Sequence, residues 1–256
     1  LRRERGVMVP RSEDEEAVVS FAQERMWFLE QLDPGRPTYN MPIAAALRGT
    51  MVPAAFAFAL ASVIERHRTL RTVLIETDGR PTPVERNPAP PLLPLIDLEG
   101  LPEAARRAEA ARLTGREAVR PSALDRGPLL RARLLRLAET DHRLLLNLHH
   151  IVTDGWSLGI LVRELGEGYA ARLEGRPVNL HRLPVQYDDY AAWQRQRMTS
   201  DEARAEIERW REVLAGAPDQ LELPFDQPPT SRRSGLGHVR RRRIPAEWGG
   251  VLTRLA

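Results

Sequence analysis

Two adjacent histidines, His149 and His150, close an apolar run in the stretch "LLLNLHHIVTDGWSLGILVREL", residues 144–165. Asp154, Gly155 and a second apolar segment follow. Imidazoles and a carboxylate at this spacing could bind a metal, move a proton or fill a core. In a strand, side chains alternate across the sheet, so Leu144, Leu146, Leu148 and His150 share one face and Leu145, Asn147, His149 and Ile151 the other. The two imidazoles then diverge. With no Cys in the chain and few other His, this argues against a metal ion held by the pair.

His149 reads as a satisfied core histidine. His150 stands where a buried strand gives way to the polar turn "TDG" and then to a helix, a junction that exposes a side chain at a cleft and aims helix N-terminal amides at it. Imidazole as a side chain titrates near neutrality and suits proton transfer, or hydrogen bonding to a developing charge. No Ser or Cys is paired with it in a nucleophile motif, which points to direct transfer between two bound substrates. Asp154 either orients the imidazole or, as we prefer, anchors the structure by capping backbone amides or meeting an Arg. Gly155 permits a positive φ or close approach of a substrate to the backbone.

The elements that must position these groups are legible on both sides. Ser20 and Gln23 in "SFAQERMWFLEQL" make a capping box and predict a short helix ending before "DPGRP". "YNMPIAAALRG" reads as a strand, and Phe56, Leu60, Val63 and Ile64 fall at helical spacing within 52–67. "LRTVLIETDGRPTPVE" reads as a hairpin turning at Asp78-Gly79. An exposed helix is expected over 102–119, then antiparallel strands in "LLRARLLRL" and "RLLLNLHHI", then a helix from about Ser157 whose apolar stripe is Leu158, Leu161, Val162, Leu165 and Tyr169. "VQYDDYAAWQRQRM" and "SDEARAEIERWREVLAG" predict two more helices. A Pro-, Gly- and Ser-rich connection spans 217–237, "HVRRRRIP" reads as a strand, and "AEWGGVLTRLA" opens a helix. Helices with a mixed sheet make the fold class α/β, an α+β sandwich.

At 256 residues and 42% hydrophobic content the chain can bury a real core. Its formal charge is only +3, every Lys/Arg position is Arg, and acidic residues are interspersed, so no nucleic-acid partner is expected. Absence of Cys excludes disulfides, thiolate metal sites and a cysteine nucleophile, and fits a cytoplasmic location. No apolar run has the length of a signal-peptide core or a bilayer span, so no membrane partner is expected. The chain starts without Met and reads as a piece of something larger, with residues 1–16 as a linker.

"HHIVTDG" resembles the HHxxxDG signature of the condensation domains of nonribosomal peptide synthetases. "SFAQERMWFLEQL" looks like that family's SxAQxRxWxL motif, "RHRTLRT" at 66–72 like RHxxLRT, and "YDDYAAWQR" at 187–195 like the motif that follows. The resemblance implies a chloramphenicol acetyltransferase-like N-terminal lobe over 17–177, with flanking helices on a mixed sheet. Residues 178–256 would be the crossover region and the beginning of a truncated second lobe. Such a fragment is expected to fold in part and to be inactive on its own, because the tunnel between the lobes is not closed.

The activity so implied is acyl transfer that forms a peptide bond. The amine of an aminoacyl thioester on a downstream peptidyl carrier protein attacks the acyl or peptidyl thioester on an upstream one. An adenylation domain is the expected neighbour. No cofactor is expected to be bound by the domain itself, since substrates arrive on the carriers' 4′-phosphopantetheine arms. The matching catalytic position is His150, acting as general base or positioning the amine and stabilising the tetrahedral intermediate, while His149 is structural. Asp154 is expected to hold the motif's shape through a salt bridge, with Arg66 as first partner and Arg71 second. Gly155, Trp156 and Ser157 are expected to line the tunnel, and Arg25 its wall. Epimerisation domains share HHxxxDG, but "DGWS" and the first motif look more like condensation. Heterocyclisation relatives replace the histidines by aspartates. "TYNMP" and "RHRTLRT" lean toward the type with an L-configured donor. A non-catalytic carrier-docking module, with the arginines 240–243 against an acidic carrier surface, is the rival from another class.

Overall fold

The computed structural model describes residues 8–12, 15–87, 93–218, 224 and 242–255. The chain divides into two compact units, residues 1–215 and 216–256.

The first unit is built on a four-stranded sheet. Strand β1 (Asn40–Arg48) pairs antiparallel with β6 (Asp141–His149), β6 antiparallel with β5 (Leu130–Ala138), and β5 parallel with the short β4 (Leu95–Asp97). Strands β2 (Thr72–Thr77) and β3 (Arg80–Glu85) form a separate hairpin. Its turn places Asp78 at φ 51° and Gly79 at φ 73°, the left-handed pair that an Asp-Gly hairpin turn requires. β4 was not expected from sequence: three residues carry no period.

Strand β6 lies between two neighbours and is covered on both faces. Leu144, Leu146 and Leu148 pack with Phe56, Ala59, Leu60 and Val63 of helix α2 (Pro53–Arg66) and with Leu161 and Leu165 of helix α4 (Gly155–Glu174). On the other face Leu145 packs with Leu135, Leu98 and Ala110 of helix α3 (Glu103–Ala118). The result is an α/β sandwich of three layers, α2 and α4, sheet, α3. A third apolar cluster joins Trp27 of helix α1 (Phe21–Leu32) to Ile151 and Val152 after β6.

Helix α1 starts with the expected capping box: Ser20 Oγ accepts from Gln23 N–H, and Gln23 Oε1 accepts from Ser20 N–H. Two further α-helices of this unit among the described residues are α5 (Tyr187–Arg197) and α6 (Asp201–Val213). In the second unit α7 (Ala246–Leu255) exposes Trp248, Leu252 and Leu255. The expected 217–237 connection lies largely outside the described residues, as do the first four residues of "HVRRRRIP"; residues 242–245 are not strand. Among the described residues no helix is long and apolar enough to cross a membrane.

Two sequence readings need correction. α4 begins at Gly155 rather than Ser157, and Val162, placed on its apolar stripe, is 62% exposed. The buried face instead contains Glu164 beside Leu161, Leu165 and Gly168. Residues 8–12, expected to be plain linker, are docked: Arg11 N–H donates to Asp189 Oδ1 and Arg11 Nε to Asp188 Oδ2, both at 2.8 Å.

Helices α2 and α4 approach closely at Gly168, where an added Cβ would lie 3.1 Å from both Cα and Cβ of Ala59. Gly168→Val is therefore expected to destabilise the chain by about 1–3 kcal/mol through overpacking. Gly166→Ala, exposed on the same helix with open space around it, is expected to stabilise by up to about 1 kcal/mol. Urea unfolding of both variants checks the pair.

Candidate functional site

The histidines diverge as the strand alternation requires, although β6 ends at His149 and His150 already belongs to the turn. His149 is 2% exposed, and its Nδ1 accepts a hydrogen bond from Ile151 N–H at 3.1 Å, which puts the ring proton on Nε2. Burial is the main cause that pushes this imidazole down to about 4, so His149 is neutral near pH 7. Glu30 Oε2 lies 4.0 Å from its Nε2, but burial also pushes the Glu30 carboxyl up. With a neutral ring at that distance the two are not a strong ion pair. Tyr39 stacks at a tilt on His149, centroids 6.0 Å apart, and its carbonyl accepts from His150 N–H at 2.8 Å. The His149 side chain and the backbone of both histidines are thereby fixed, while the His150 side chain is exposed.

His150 lies on the wall of a cleft of about 620 Å³. Its main segments are α1 through Gln23, Arg25 and Met26; residues 67–70; the turn 150–154 with the start of α4; and residues 183–190. Gln23 Nε2 donates to Ile151 O at 3.3 Å, so the residue that caps α1 also ties it to the histidine turn. Gln186, at the start of α5, accepts from Arg68 N–H (3.1 Å) and donates to Arg66 O (2.9 Å). Tyr187 Oη meets Ser20 Oγ at 2.9 Å, and Arg195 reaches Val19 O and Glu24. Three of the four motifs thus interlock around the histidine motif. The docked 8–12 segment brings Met8 to the cleft wall, a contribution that nothing in its charged neighbourhood announces.

Asp154 takes the capping role, not the salt bridge. Its Oδ1 accepts from Ser157 N–H at 2.7 Å and Ser157 Oγ–H at 2.6 Å, and these bonds, the side-chain one foremost, hold its carboxyl below the usual range. Neither Arg66 nor Arg71 pairs with it. Arg66 Nε donates to Glu164 Oε1 at 3.1 Å and its Nη2 to His181 O; Arg71 pairs with Glu85. The reason is axial position. Helix α2 ends level with Glu164, ten residues and roughly 15 Å of helix beyond Asp154. Arg71 precedes Thr72, whose strand partner is Glu85.

Arg25 and Ser157, expected at the tunnel, line this cleft. Trp156 does not: in the first turn of α4 it is 84% exposed, outside the cleft lining. Gly155 has no positive φ, and a Cβ there would meet nothing within 4 Å. Sequence reasoning missed Glu164, whose signal was a charged residue at helical spacing with buried Leu161 and Gly168. It also missed Gln186, which stands one residue before the fourth motif.

The fold and its neighbours define the class first. The chain aligns with the starter condensation domain of rhizomide synthetase RzmA at TM-score 0.73 and 25% identity, over 80% of this chain and 49% of that one. It aligns with the X-domain solved in complex with OxyB from teicoplanin biosynthesis at TM-score 0.76 and 28% identity, over 88% and 49%. The sandwich is accordingly a chloramphenicol acetyltransferase-like lobe. The model of the condensation-domain family matches residues 13–256. A linear gramicidin synthase polypeptide of Brevibacillus parabrevis is 39% identical over 94% of this chain, and phosphinothricin tripeptide synthetase PhsC of Streptomyces viridochromogenes 40% over 97%. The chain spans 5% and 23% of those two relatives' lengths. It belongs to the condensation-domain family of nonribosomal peptide synthetases, whose general reaction is peptide-bond formation.

Two solution measurements follow from this geometry. His149 binds a proton more weakly folded than unfolded, so the unfolded state binds more protons between its ordinary value of about 6.5 and about 4. Stability is expected to fall as pH drops through that window, with a slope of up to about 1.4 kcal/mol per pH unit. His149→Leu should remove this component from urea midpoints measured against pH. Asp154→Ala is expected to cost about 1 kcal/mol at pH 7 by loss of the cap. Because the folded carboxyl is depressed, the gap from wild type should be full above about pH 4 and close as pH falls further.

Proposed function

We propose that this chain is the histidine-bearing lobe of a condensation domain that joins a donor acyl or peptidyl thioester on an upstream carrier protein to the amine of an aminoacyl thioester on a downstream one. The observation that carries this reading is the contrast within the motif: His149 buried, neutral and bonded to the backbone, His150 exposed on the wall of a cleft into which the start of α4 also opens. The serine of the cleft lining, Ser157, has its hydroxyl engaged by the capping carboxylate of Asp154 rather than by a histidine. Direct attack of amine on thioester is downhill, and holding two tethered substrates in line supplies much of the acceleration. His150 then takes the proton that leaves the amine nitrogen as the C–N bond forms, or hydrogen-bonds the tetrahedral intermediate, and a proton goes to the upstream carrier's pantetheine sulfur as the C–S bond breaks.

The 4′-phosphopantetheine arms of the carriers are the source of both substrates, and the domain itself supplies no cofactor. An adenylation domain is the neighbour that loads the downstream carrier. The "TYNMP" and "RHRTLRT" stretches favour a donor with an L-configured terminus. A second reading rests on one observation, the fold likeness to the X-domain solved in complex with OxyB: a lobe of this shape can serve as a docking surface.

Single-turnover transfer between loaded carriers, followed by intact-protein mass spectrometry on the whole synthetase, separates these readings. The downstream carrier is expected to gain the donor acyl mass, and His150→Ala to slow that gain about 10²-fold or more. Loss of stereochemical purity without transfer would identify an epimerisation domain instead. Carrier binding with neither reaction would favour the docking module.

A further inference from the structure

The cleft holds a second imidazole. His67 follows the last residue of α2, lines the same cleft as His150, and has 22% of its side chain exposed. Its Nε2–H donates to Glu164 Oε2 at 2.6 Å, and Arg66 occupies the other oxygen of that carboxylate. The Glu164 side chain is only 4% exposed. Burying a carboxylate is costly unless it is paired, and the Arg66 guanidinium already neutralises this one. The second oxygen is therefore spent on an imidazole at the cleft wall, in a contact that fixes the plane of the ring. In the Nε2–H tautomer Nδ1 carries a lone pair, and it makes no hydrogen bond to the described residues. The backbone on both sides is held by Gln186, which accepts from Arg68 N–H and donates to Arg66 O. The cleft also presents apolar Met26, Leu70 and Ile160 and polar Gln23, Arg25 and Asp154, and an oriented acceptor on a clamped backbone among them is a place for an N–H donor of the bound molecule.

We propose that His67 is a substrate-binding residue of the cleft whose Nδ1 accepts a hydrogen bond from an N–H group of the tethered substrate, with Glu164 as the positioning residue that orients its ring. The inference rests on the condensation reading, because that reading supplies the substrates. Two parts of them carry N–H donors, the amides of the pantetheine arm and the aminoacyl amine.

The test uses the chain with its histidine rings labelled with nitrogen-15, titrated with pantetheine and with an aminoacyl pantetheine in which a stable amide replaces the thioester. Long-range proton–nitrogen spectra are expected to show the Nε2–H tautomer for His67 in the free chain, and its Nδ1 resonance should move on titration. Movement with pantetheine alone assigns the donor to the arm, and movement only with the aminoacyl compound assigns it to the amine. His67→Ala should weaken the responding ligand about three- to tenfold, the worth of one hydrogen bond. Glu164→Gln should lose the fixed tautomer signature as well as affinity, whereas a purely structural Glu164 would lower stability and leave the tautomer unchanged. If His150 resonances move and those of His67 do not, in the wild-type chain where folding is not in question, the proposal fails and the condensation reading stands. If neither histidine responds to either compound, the proposal fails, and transfer on the whole synthetase decides the condensation reading separately.

Discussion

A strand covered on both faces has to end abruptly where its cover ends, and the site depends on how β6 does so. Its side chains through His149 lie between α2 and α4 on one side and α3 on the other, so alternation leaves His149 no choice but burial. The next residue has left the sheet. Its amide is satisfied by Tyr39 O and that of Ile151 by the His149 ring, so the turn carries its own backbone bonds with it. Asp154 then accepts from Ser157 and starts α4 within five residues of the strand's end. An exposed imidazole between two such fixed points has little backbone freedom left to lose, which under the proposed reaction is a form of preorganisation.

The motifs are polar because they do the joining. Gln23 caps α1 and grips Ile151 O; Gln186 grips the backbone on either side of His67; Arg195 of α5 reaches back to Val19 O and Glu24. Hydrogen bonds from side chain to backbone of this kind specify register, since a shift of one residue leaves a buried polar group unpaired. Apolar packing alone, which tolerates exchange of similar volumes, would hold the same segments with less precision.

The elements were readable wherever a period or a cap announced them. The Ser20–Gln23 box, the Asp78-Gly79 turn and the stripe of α2 needed only local rules, and the strand alternation placed His149 and His150 correctly. The salt bridge expected for Asp154 failed because an ion pair between distant segments depends on where two helices meet along their axes, and no local rule contains that offset. The same ignorance hid Glu164: its position on the buried face of α4 could be counted, but its two partners sit at the end of another helix. Trp156 lies outside the cleft lining because the first turn of a helix can face either way, and only packing decides. β4 was invisible because its pairing partner, β5, defines it.

The charge state of His149 bears on the chemistry next door. Burial dominates its low proton affinity, and repulsion from His150 is the second contribution. A charged imidazole one residue away would repel any cation brought to the cleft, an ammonium substrate included, with an energy that grows as water is displaced. Holding His149 neutral removes that repulsion at no cost in packing, since the ring's Nδ1 is already used by a backbone amide. Two histidines in sequence thus separate the two demands on the site. One is a shaped, uncharged piece of core that fixes the turn, and the other stands exposed on the cleft wall.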